Sequence, residues 1–463
     1  MIHIRGGTVI DPASGKSFIG DLVLEKGRIA DVVLTGEADL SFLSADKTGS
    51  CRKASDSVSE KDTKIFPGAC EGREQSAQDE EIDARGLIVT TGLVDAHVHF
   101  RDPGQTQKED ILTGAEAAKH GGFTSVIMMG NTIPHPDTSE VISYMLKKGR
   151  ETGIRVYTSA NVTKGMQGKE LSDMKALKEA GAVLFTDDGL PLKDANLFRR
   201  ACAEAAALHM LISLHEEDPS FVYDAGVNEG KIAAVLGLRG ASREAEISLV
   251  ERDIKIAAEE GAEIMIQHIS CAETVELVRA ARKTNKKIHA EATPHHFTLT
   301  EEAVLRYGTL AKMNPPLRTE ADRQAIIAGL CDGTIEQIAT DHAPHTKAEK
   351  DKPFREAPSG IIGLETALGL GVRELVRTGK MSLPQLIGCM STAPARLSGI
   401  PGGVLAVGEP ADLLIFDLRA VCVADRFFSK ASNTPFAGIE MPLGIRYVFA
   451  AGQCVYSSEK QSI

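Results

Sequence analysis

The sequence predicts an α/β fold, a (β/α)8 barrel of the TIM type with a small β-sandwich domain built from the two ends of the chain. Two observations predict this fold. Eight short apolar runs alternate with helical segments between residues 91 and 395, and β-rich segments occur near both termini. At 463 residues, the chain is long enough for one large domain and one smaller domain.

The β-rich segments near the two ends have the same character. Residues 2–10 and 20–29 read as strands with turns, and residues 411–417 and 445–453 resemble them. Because they bracket an α/β centre, we expect the two ends to pair into one β domain. The predicted boundaries are 1–90 for the N-terminal part of the β domain, 91–395 for the barrel and 396–463 for the C-terminal part.

Residues 37–80 interrupt the first part of the β domain. They are rich in Ser, Lys, Asp, Glu and Gly, and they show no sustained apolar period. A segment of this composition buries too little apolar surface to offset its ordering entropy. We therefore expect a largely disordered, exposed insertion between two strands.

The central region repeats the pattern of strand, loop and helix. Its clearest helix covers residues 242–261, with periodic apolar positions and a glycine at the end. A doubly wound open sheet is the alternative, but the chain contains neither G-x-G-x-x-G after a first strand nor G-x-x-x-x-G-K-[ST]. The eight candidate barrel strands are residues 93–99, 123–129, 154–160, 182–186, 210–215, 263–268, 287–292 and 336–341.

Composition excludes several classes of function. The formal net charge of −12, without a basic stripe, argues against nucleic acid and anionic membranes as partners. No apolar stretch approaches the roughly 20 residues that span a bilayer. The eight cysteines form no C-x-x-C pair and no signal peptide is recognisable, so we expect reduced thiols and a cytoplasmic location.

The most informative motif is DAHVHFR at residues 95–101, at the end of the first barrel strand. Side chains alternate faces along a strand, so His97 and His99 point the same way, about 7 Å apart. Two imidazoles on one side of a strand end are suited to holding a divalent metal from one wall of a cavity.

Polar residues also follow the other predicted strands, at the edge where barrel enzymes build their sites. Imidazole and carboxylate together, without thiolate, suit zinc or a similar divalent ion. Each residue alone could be a capping or core group, but their shared placement at strand ends indicates a site. The residues are Asp187 and Asp188 after strand four, His215 after strand five, His268 after strand six, and Asp341, His342 and His345 after strand eight.

This constellation resembles the amidohydrolase superfamily of metal-dependent barrels, over nearly the whole chain. Within it, the local sequences are most similar to the dihydroorotases of the bacterial class I type. The matching pieces are DAHVHFRDPG at 95–104, GNT at 130–132, FTDDG at 185–189, MNPPLR at 313–318, DHAPH at 341–345 and APSG at 357–360.

The resemblance implies a zinc site of two ions bridged by an aspartate. Relatives that open hydantoins, dihydropyrimidines and allantoin usually bridge their metals with a carbamylated lysine on strand four. No lysine lies on that strand here, since Lys175 and Lys178 fall in the preceding helix. Counting back from His215 favours Asp188 as the bridge, and Asp187 remains possible. The implied metal ligands are His97, His99, Asp188, His215, His268 and Asp341.

The resemblance also implies the reaction, which is the reversible cyclisation of N-carbamoyl-L-aspartate to L-dihydroorotate in pyrimidine synthesis. Asp341 would be the catalytic acid and base. Arg101 shares the strand face of His99, and its guanidinium suits a free carboxylate. The alternative for Arg101 is a surface ion pair with Asp102 or Glu109. The implied substrate-binding residues are Arg101, Asn131, Asn314, His345, Ser359 and Gly360.

Other features carry weaker expectations. We interpret His295 and His296 as structural groups or as groups behind the metal ligands. The charged loop at residues 346–356 is either a mobile lid or a solvated loop. We expect a homodimer that could associate with aspartate transcarbamoylase. The rival functions are an allantoinase or hydantoinase, and an inactive scaffold for aspartate transcarbamoylase.

Overall fold

The structure is a computed structural model that describes residues 1–40 and 79–461. The predicted insertion at 37–80 lies outside the described residues except at its two ends. Within the described part, no helix is both long enough and apolar enough to cross a membrane.

Strands are numbered in chain order through the described residues. They are β1 (Ile2–Asp11), β2 (Lys16–Glu25), β3 (Arg28–Glu37), β4 (Glu80–Asp83), β5 (Ile88–Thr91), β6 (Leu93–Val98), β7 (Phe123–Met128), β8 (Arg155–Thr158), β9 (Leu211–Leu214), β10 (Glu263–Ile266), β11 (Ile288–Ala292), β12 (Gln337–Ile338), β13 (Leu413–Asp417), β14 (Cys422–Val423), β15 (Glu440–Met441), β16 (Gly444–Ala450) and β17 (Gln453–Ser457).

The α-helices of the same described part all lie between β6 and β13. They are α1 (Ile111–His120), α2 (Ser139–Gly149), α3 (Met174–Glu179), α4 (Ala195–Leu208), α5 (Lys231–Val235), α6 (Glu244–Glu260), α7 (Ala272–Arg282), α8 (Pro294–Thr298), α9 (Ala303–Tyr307), α10 (Glu320–Asp332), α11 (Lys347–Lys350), α12 (Ala367–Gly371), α13 (Leu383–Met390) and α14 (Thr392–Leu397).

The two ends of the chain pair in one β domain, as the sequence predicts. Its strands run in the order β17-β16-β13-β5-β1-β2-β3, with β4 also beside β1, so they form one continuous hydrogen-bonded sheet. The junction between the ends is the antiparallel pair of β5 and β13, in which Val89 lies opposite Ile415. Both of these side chains are fully buried in a core that belongs to this domain.

The centre of the chain closes into the predicted eight-stranded barrel. Strands β6 to β8 and β9 to β12 form two parallel sets. The sets join through Phe185, which bridges to Ala160 on one side and to Ile212 on the other, and they close where Val98 bridges to His342. The predicted fourth strand at 182–186 therefore occupies its place in the barrel, although its regular pairing is confined to the region of Phe185.

The bounds of helix α6 follow from the local sequence. The sequence predicts a helix over 242–261, and α6 spans Glu244–Glu260. Its apolar face buries Leu249, Val250 and Ala257. Gly261 ends it with a φ of 67°, a left-handed conformation that glycine adopts without steric cost.

Candidate metal centre and active site

The carboxyl end of β6 carries the two histidines of the H-x-H motif into the barrel mouth. Both rings are buried, with centroids 5.2 Å apart. His97 Nδ1 lies 2.8 Å from Glu291 Oε1, and His99 Nδ1 lies 2.9 Å from Asn131 Oδ1. Because a carboxylate and an amide oxygen can only accept, each Nδ1 donates, and Nε2 is the ring nitrogen left to face the cluster. His99 Nε2 donates to Asp341 Oδ1, and a bound cation would take the place of the Nε2 proton on each ring.

Asp188 lies at the centre of the histidines. None of its contacts with their nitrogens is as short as a strong charge-assisted hydrogen bond. The four histidines instead surround one carboxylate at a spacing that suits a shared cation. The distances to its carboxylate oxygens are 3.5 Å from His97 Nε2, 3.4 Å from His99 Nε2, 3.7 Å from His215 Nδ1 and 3.8 Å from His268 Nε2.

Asp341 completes the cluster from the end of the eighth strand. Its Oδ1 lies 2.9 Å from His99 Nε2 and 3.6 Å from His97 Nε2. Within the described residues, His97, Asp188 and His268 form one group of ligand atoms within 4.8 Å of one another, and His97, His99 and Asp341 form another.

The residues present fit a divalent metal. His97 Nε2 is fully buried and has no hydrogen-bond partner among the described residues. A buried polar atom without a partner is costly, and a cation at this point would satisfy it. On the other side of Asp188, His215 Nδ1 lies only 3.0 Å from His268 Nε2. Two imidazoles and a carboxylate so arranged match the nitrogen and oxygen ligands that zinc prefers.

The cluster keeps its carboxylates ionised. Burial would raise the pKa of Asp188, but the positive charge of the His97 ring and the nearby imidazoles of His215 and His268 hold this pKa well below its usual value. Burial also opposes ionisation of Asp341, and there the hydrogen bond from His99 and the charge of His97 outweigh it and lower the pKa. Both side chains are therefore available as anionic ligands or bases at neutral pH.

Three residues of the site have a left-handed backbone conformation. The φ angles are 60° at Arg101, 29° at His268 and 49° at Asp341, values that non-glycine residues rarely adopt. All three residues follow the end of a barrel strand, where the chain turns sharply. Such strain persists only when the surrounding fold imposes it, and it is typical of functional sites.

A cavity of about 400 Å³ opens above the cluster. The cavity is also lined by Arg101, which is 7% exposed. Arg101 Nε donates to Pro344 O at 3.3 Å, and Nη2 lies 3.4 Å from His345 Nε2. Burial lowers the pKa of Arg101 to about 10, so the guanidinium remains charged at neutral pH. The cavity thus combines a cluster of metal-type ligands with one buried cation.

Asp187, the other candidate for the bridge, faces away from this cavity. Its carboxylate accepts hydrogen bonds from the backbone N–H groups of Val162 and Thr163 and from the Thr163 hydroxyl. Asp187 therefore fastens the loop after β8, and Asp188 alone of the pair lies among the histidines.

Comparison with known proteins gives the family. The Dihydro-orotase-like family model matches residues 86–274. The chain is 46% identical to the dihydroorotase of Clostridioides difficile over 99% of this chain and 100% of that protein. It is 41% identical to the dihydroorotase of Lactococcus lactis over 98% of this chain and 99% of that protein. The chain belongs to the dihydroorotase family.

Solved structures share the fold of this dihydroorotase family member. The L-hydantoinase of Arthrobacter aurescens superposes with a TM-score of 0.80 over 98% of this chain and 96% of that one, at 22% identity. The dihydropyrimidinase of Brevibacillus agri gives a TM-score of 0.75 over 99% and 95%, at 20% identity. At such identities, the likeness concerns the architecture of barrel and β domain.

The fold brings together every site residue that the sequence predicted. His97 lies in the buried cluster, and the others line the cavity. Arg101 forms no ion pair with Asp102 or Glu109, the alternative considered from sequence, because Asp102 instead accepts from Lys148 and Tyr144. The predicted residues that line the cavity are His99, Arg101, Asn131, Asp188, His215, His268, Asn314, Asp341, His345, Ser359 and Gly360.

Sequence reasoning missed two buried carboxylates that orient the site. Glu291 on β11 receives His97 Nδ1–H, and its other oxygen accepts from Gln337 Nε2 at 2.7 Å. Asp95 accepts from the backbone N–H groups of His97 and Thr340, so it joins the first and eighth strand ends. Glu291 is the second-last residue of β11, the seventh barrel strand. The rule that polar site residues lie at strand ends could therefore have identified it.

The remaining sequence expectations concern the flanking loops. His296 donates from Nε2 to Pro315 O at 3.1 Å, and so supports the loop of Asn314 as a structural group. The loop after His345 is not freely solvated, because Lys350 is buried and donates to Pro358 O and Gly360 O. Lys312 Nζ likewise donates to Ala357 O at 2.7 Å.

Proposed function

We propose that this protein is a metal-dependent dihydroorotase that interconverts N-carbamoyl-L-aspartate and L-dihydroorotate in pyrimidine biosynthesis. The observation that carries the proposal is the position of Arg101, a buried cation in the same cavity as the cluster around Asp188 and Asp341. A substrate that offers a carboxylate to the arginine and an amide carbonyl to the cluster matches both sides of the cavity. Dihydroorotate has both groups, and the close relatives bear the same name.

In this proposal the cluster holds two zinc ions. A divalent cation held there supplies Lewis-acid polarisation of the amide carbonyl and a water of lowered pKa. Asp188 would be among the ligands, and Glu291, which accepts from His97 Nδ1, would orient His97 for metal binding. The ligands are His97, His99, His215, His268, Asp188 and Asp341.

Asp341 moves the proton. In ring closure, its carboxylate removes a proton from the ureido nitrogen, which attacks the side-chain carboxyl carbon of carbamoyl-aspartate. A C–N bond forms, a C–O bond breaks, and the departing oxygen takes this proton and a second one from solvent to leave as water. In ring opening the same carboxyl group delivers the proton to the departing amide nitrogen. The low pKa of Asp341 keeps it in the basic form that ring closure needs.

The free α-carboxylate of the substrate is held by Arg101 and Asn131, and His345 borders the same part of the cavity. The Asn131 carbonyl accepts from His99, so its amide N–H groups remain to donate. On the opposite edge, Ser359 Oγ donates to Asn314 Oδ1 at 2.9 Å, which leaves the Asn314 amide nitrogen to donate to the ring. The backbone of Ser359 and Gly360 lies beside it in the cavity wall.

A direct assay tests the proposal. The purified protein is given carbamoyl-aspartate, dihydroorotate, allantoin and hydantoin in turn, and its metal content is measured. We expect interconversion of the first two, loss of activity on chelation, and restoration by zinc, cobalt or manganese. Faster opening of allantoin or hydantoin would favour the other amidohydrolase activities. Full turnover in metal-free protein would refute the metal mechanism, and no turnover of any substrate would favour the inactive scaffold.

We further propose a cytoplasmic homodimer that associates with aspartate transcarbamoylase. Cys202, Cys271, Cys331, Cys389 and Cys422 are free thiols, which suits a reducing compartment. The dimer and the association derive from the family resemblance. Light scattering of the purified protein and its co-purification with aspartate transcarbamoylase test them, and a monomer with no bound transcarbamoylase would refute both.

A further inference from the structure

Asn433 belongs to the C-terminal part of the chain, yet it contacts the part of the cavity wall that His345 and Gly360 form. Its side chain is 4% exposed and makes three hydrogen bonds to two separate loops. Oδ1 accepts from the backbone N–H of His345 at 3.0 Å. Nδ2 donates to Ala343 O and to Gly360 O, each at 3.1 Å. One amide therefore joins the loop of His345 to the loop of Gly360.

The orientation of this amide is determined by its partners. A backbone N–H can only donate and a carbonyl can only accept, so the oxygen must face His345 and the nitrogen must face the two carbonyls. No other residue of this size offers one acceptor and two donors in that arrangement, and Asp has the same shape but lacks both donors.

The two loops that Asn433 joins carry the substrate-binding groups on one side of the cavity. His345 stands beside Arg101, and its Nε2 donates to Ser359 O at 2.9 Å. Gly360 adopts a φ of 111°, and a Cβ there would lie 2.6 Å from the Ala343 side chain. The two loops therefore pack so closely that no side chain fits at Gly360, and the Asn433 amide fixes their relative position.

We infer that Asn433 is a positioning residue for substrate, which aligns His345 and the Ser359–Gly360 backbone with Arg101. This inference rests on the proposed dihydroorotase function. It extends the site beyond the barrel, because the C-terminal part of the chain then supplies a group that sets affinity for the substrate carboxylate.

The segment that carries Asn433 has other attachments to the barrel. Ser429 Oγ donates to Glu109, Lys430 Nζ donates to Thr106 O at 2.9 Å, and the backbone oxygen of Asn433 accepts from Ile362 N at 3.1 Å. Because these contacts do not involve the Asn433 side chain, we expect its substitution to loosen the cavity wall without unfolding the segment.

The test compares N433A, N433D and T434V. Thr434 is a buried neighbour whose hydroxyl accepts from Phe436 N within its own segment, so T434V is a matched control with no link to the two loops. We expect KM for carbamoyl-aspartate to rise about tenfold in N433A, comparable to losing one well-aligned hydrogen bond, with kcat and metal content little changed. The stabilisation of the protein by dihydroorotate, measured as a shift in Tm, should fall with it. T434V should match the wild type in KM.

N433D adds a pH readout. The carboxylate form repels both carbonyls, whereas the protonated form regains one donor. Burial raises the pKa of such a carboxyl, so KM of N433D should approach that of the wild type as the pH falls towards about 5. The titratable groups that line this cleft are Tyr307, His345, Lys347, Lys350 and Asp351, and all are retained in N433A. The ratio of KM between N433D and N433A therefore isolates the new carboxyl.

The outcomes separate the two proposals. If the wild type does not interconvert carbamoyl-aspartate and dihydroorotate, the proposed function fails. If it does, but N433A keeps the wild-type KM and Tm shift, the role of Asn433 is refuted. A fall in kcat and metal content together, with KM unchanged and no pH effect in N433D, would also overturn it, because that pattern indicates general structural damage.

Discussion

Glu291 Oε1 lies 2.8 Å from His97 Nδ1, although the two residues are 194 positions apart in the chain. The carboxylate accepts from Nδ1, so Nε2 is the nitrogen that faces Asp188 and Asp341. This contact orients His97, which belongs to both candidate groups of ligands.

We expect E291Q to lose metal affinity by about 10- to 100-fold, since a neutral amide accepts more weakly from Nδ1–H and does not increase the basicity of His97 as a carboxylate does. Metal analysis after dialysis against a weak chelator measures the loss, and excess zinc should restore part of the activity. Glu263 is a barrel carboxylate that contacts His289 instead, so E263Q is the matched control and should retain its metal. Equal metal retention in both variants would contradict the assigned role.

The adjacent residues Asp187 and Asp188 should differ sharply on substitution. D188A removes the carboxylate that lies within 4 Å of four histidines, so we expect loss of metal and of nearly all activity. D187A removes only the hydrogen bonds to the Val162–Thr163 loop and should mainly lower stability. Metal content and turnover of both variants measure the contrast. Dependence of the wild type on bicarbonate, or a carbamylated lysine in its intact mass, would refute an aspartate bridge.

Replacing Arg101 by lysine tests whether its guanidinium binds the substrate carboxylate. The ammonium keeps the charge but loses the planar fork, so we expect kcat/KM for dihydroorotate to fall at least tenfold, about 1.4 kcal/mol of transition-state stabilisation. R199K is the control, since Arg199 pairs with Glu259 and Glu260 on a surface helix. Steady-state kinetics on both variants measure this effect. Wild-type kinetics in R101K would refute a role of Arg101 in binding the substrate carboxylate.

The free energy of unfolding should depend on pH through a cluster of charged side chains away from the metal ligands. His289 contacts Glu263 and Glu336. Burial disfavours the charged ring, but hydrogen bonds to the two carboxylates outweigh it and raise the His289 pKa above 6.5. Burial similarly opposes ionisation of Glu336, yet hydrogen bonds from His289 and Arg282 lower its pKa from 4.5 to about 2.

The sign of each contribution follows from linkage. The contribution of His289 is fully present below pH 6.5 and is lost as the pH rises through its raised folded pKa. That of Glu336 is fully present above pH 4.5 and is lost as the pH falls towards 2. H289Q should therefore cost most free energy of unfolding between these limits and progressively less at alkaline pH. Denaturant titrations at about pH 5 and about pH 9 measure this, and an equal cost at both would contradict it.

Residues 37–80 should be dispensable for the reaction. The strands that flank them, β3 and β4, lie in the sheet of the β domain, whereas the candidate ligands lie at the barrel strand ends. Replacing residues 41–78 with a short Gly/Ser turn should leave turnover within a few-fold and Tm little changed, because loop closure depends weakly on length. Loss of folding, or of a defined oligomer in light scattering, would show that the segment is an ordered interface.

The sequence by itself determined the architecture and most of the site. Strand and helix periods are local properties, and parallel barrel strands all end at the same rim, so His97, His215, His268 and Asp341 could be placed together before any contact was known. Even the pairing of the two chain ends followed from the β-rich character that these two segments share around an α/β centre.

Only the tertiary structure decided which neighbour each of these groups uses. Asp187 and Asp188 are adjacent, and their roles depend on the local turn of a fourth strand whose regular pairing is confined to Phe185. Asn433 reaches His345 across 88 residues. Hydrogen bonds between such distant residues arise from packing of the whole chain, and packing leaves no periodic signal in the sequence around either partner.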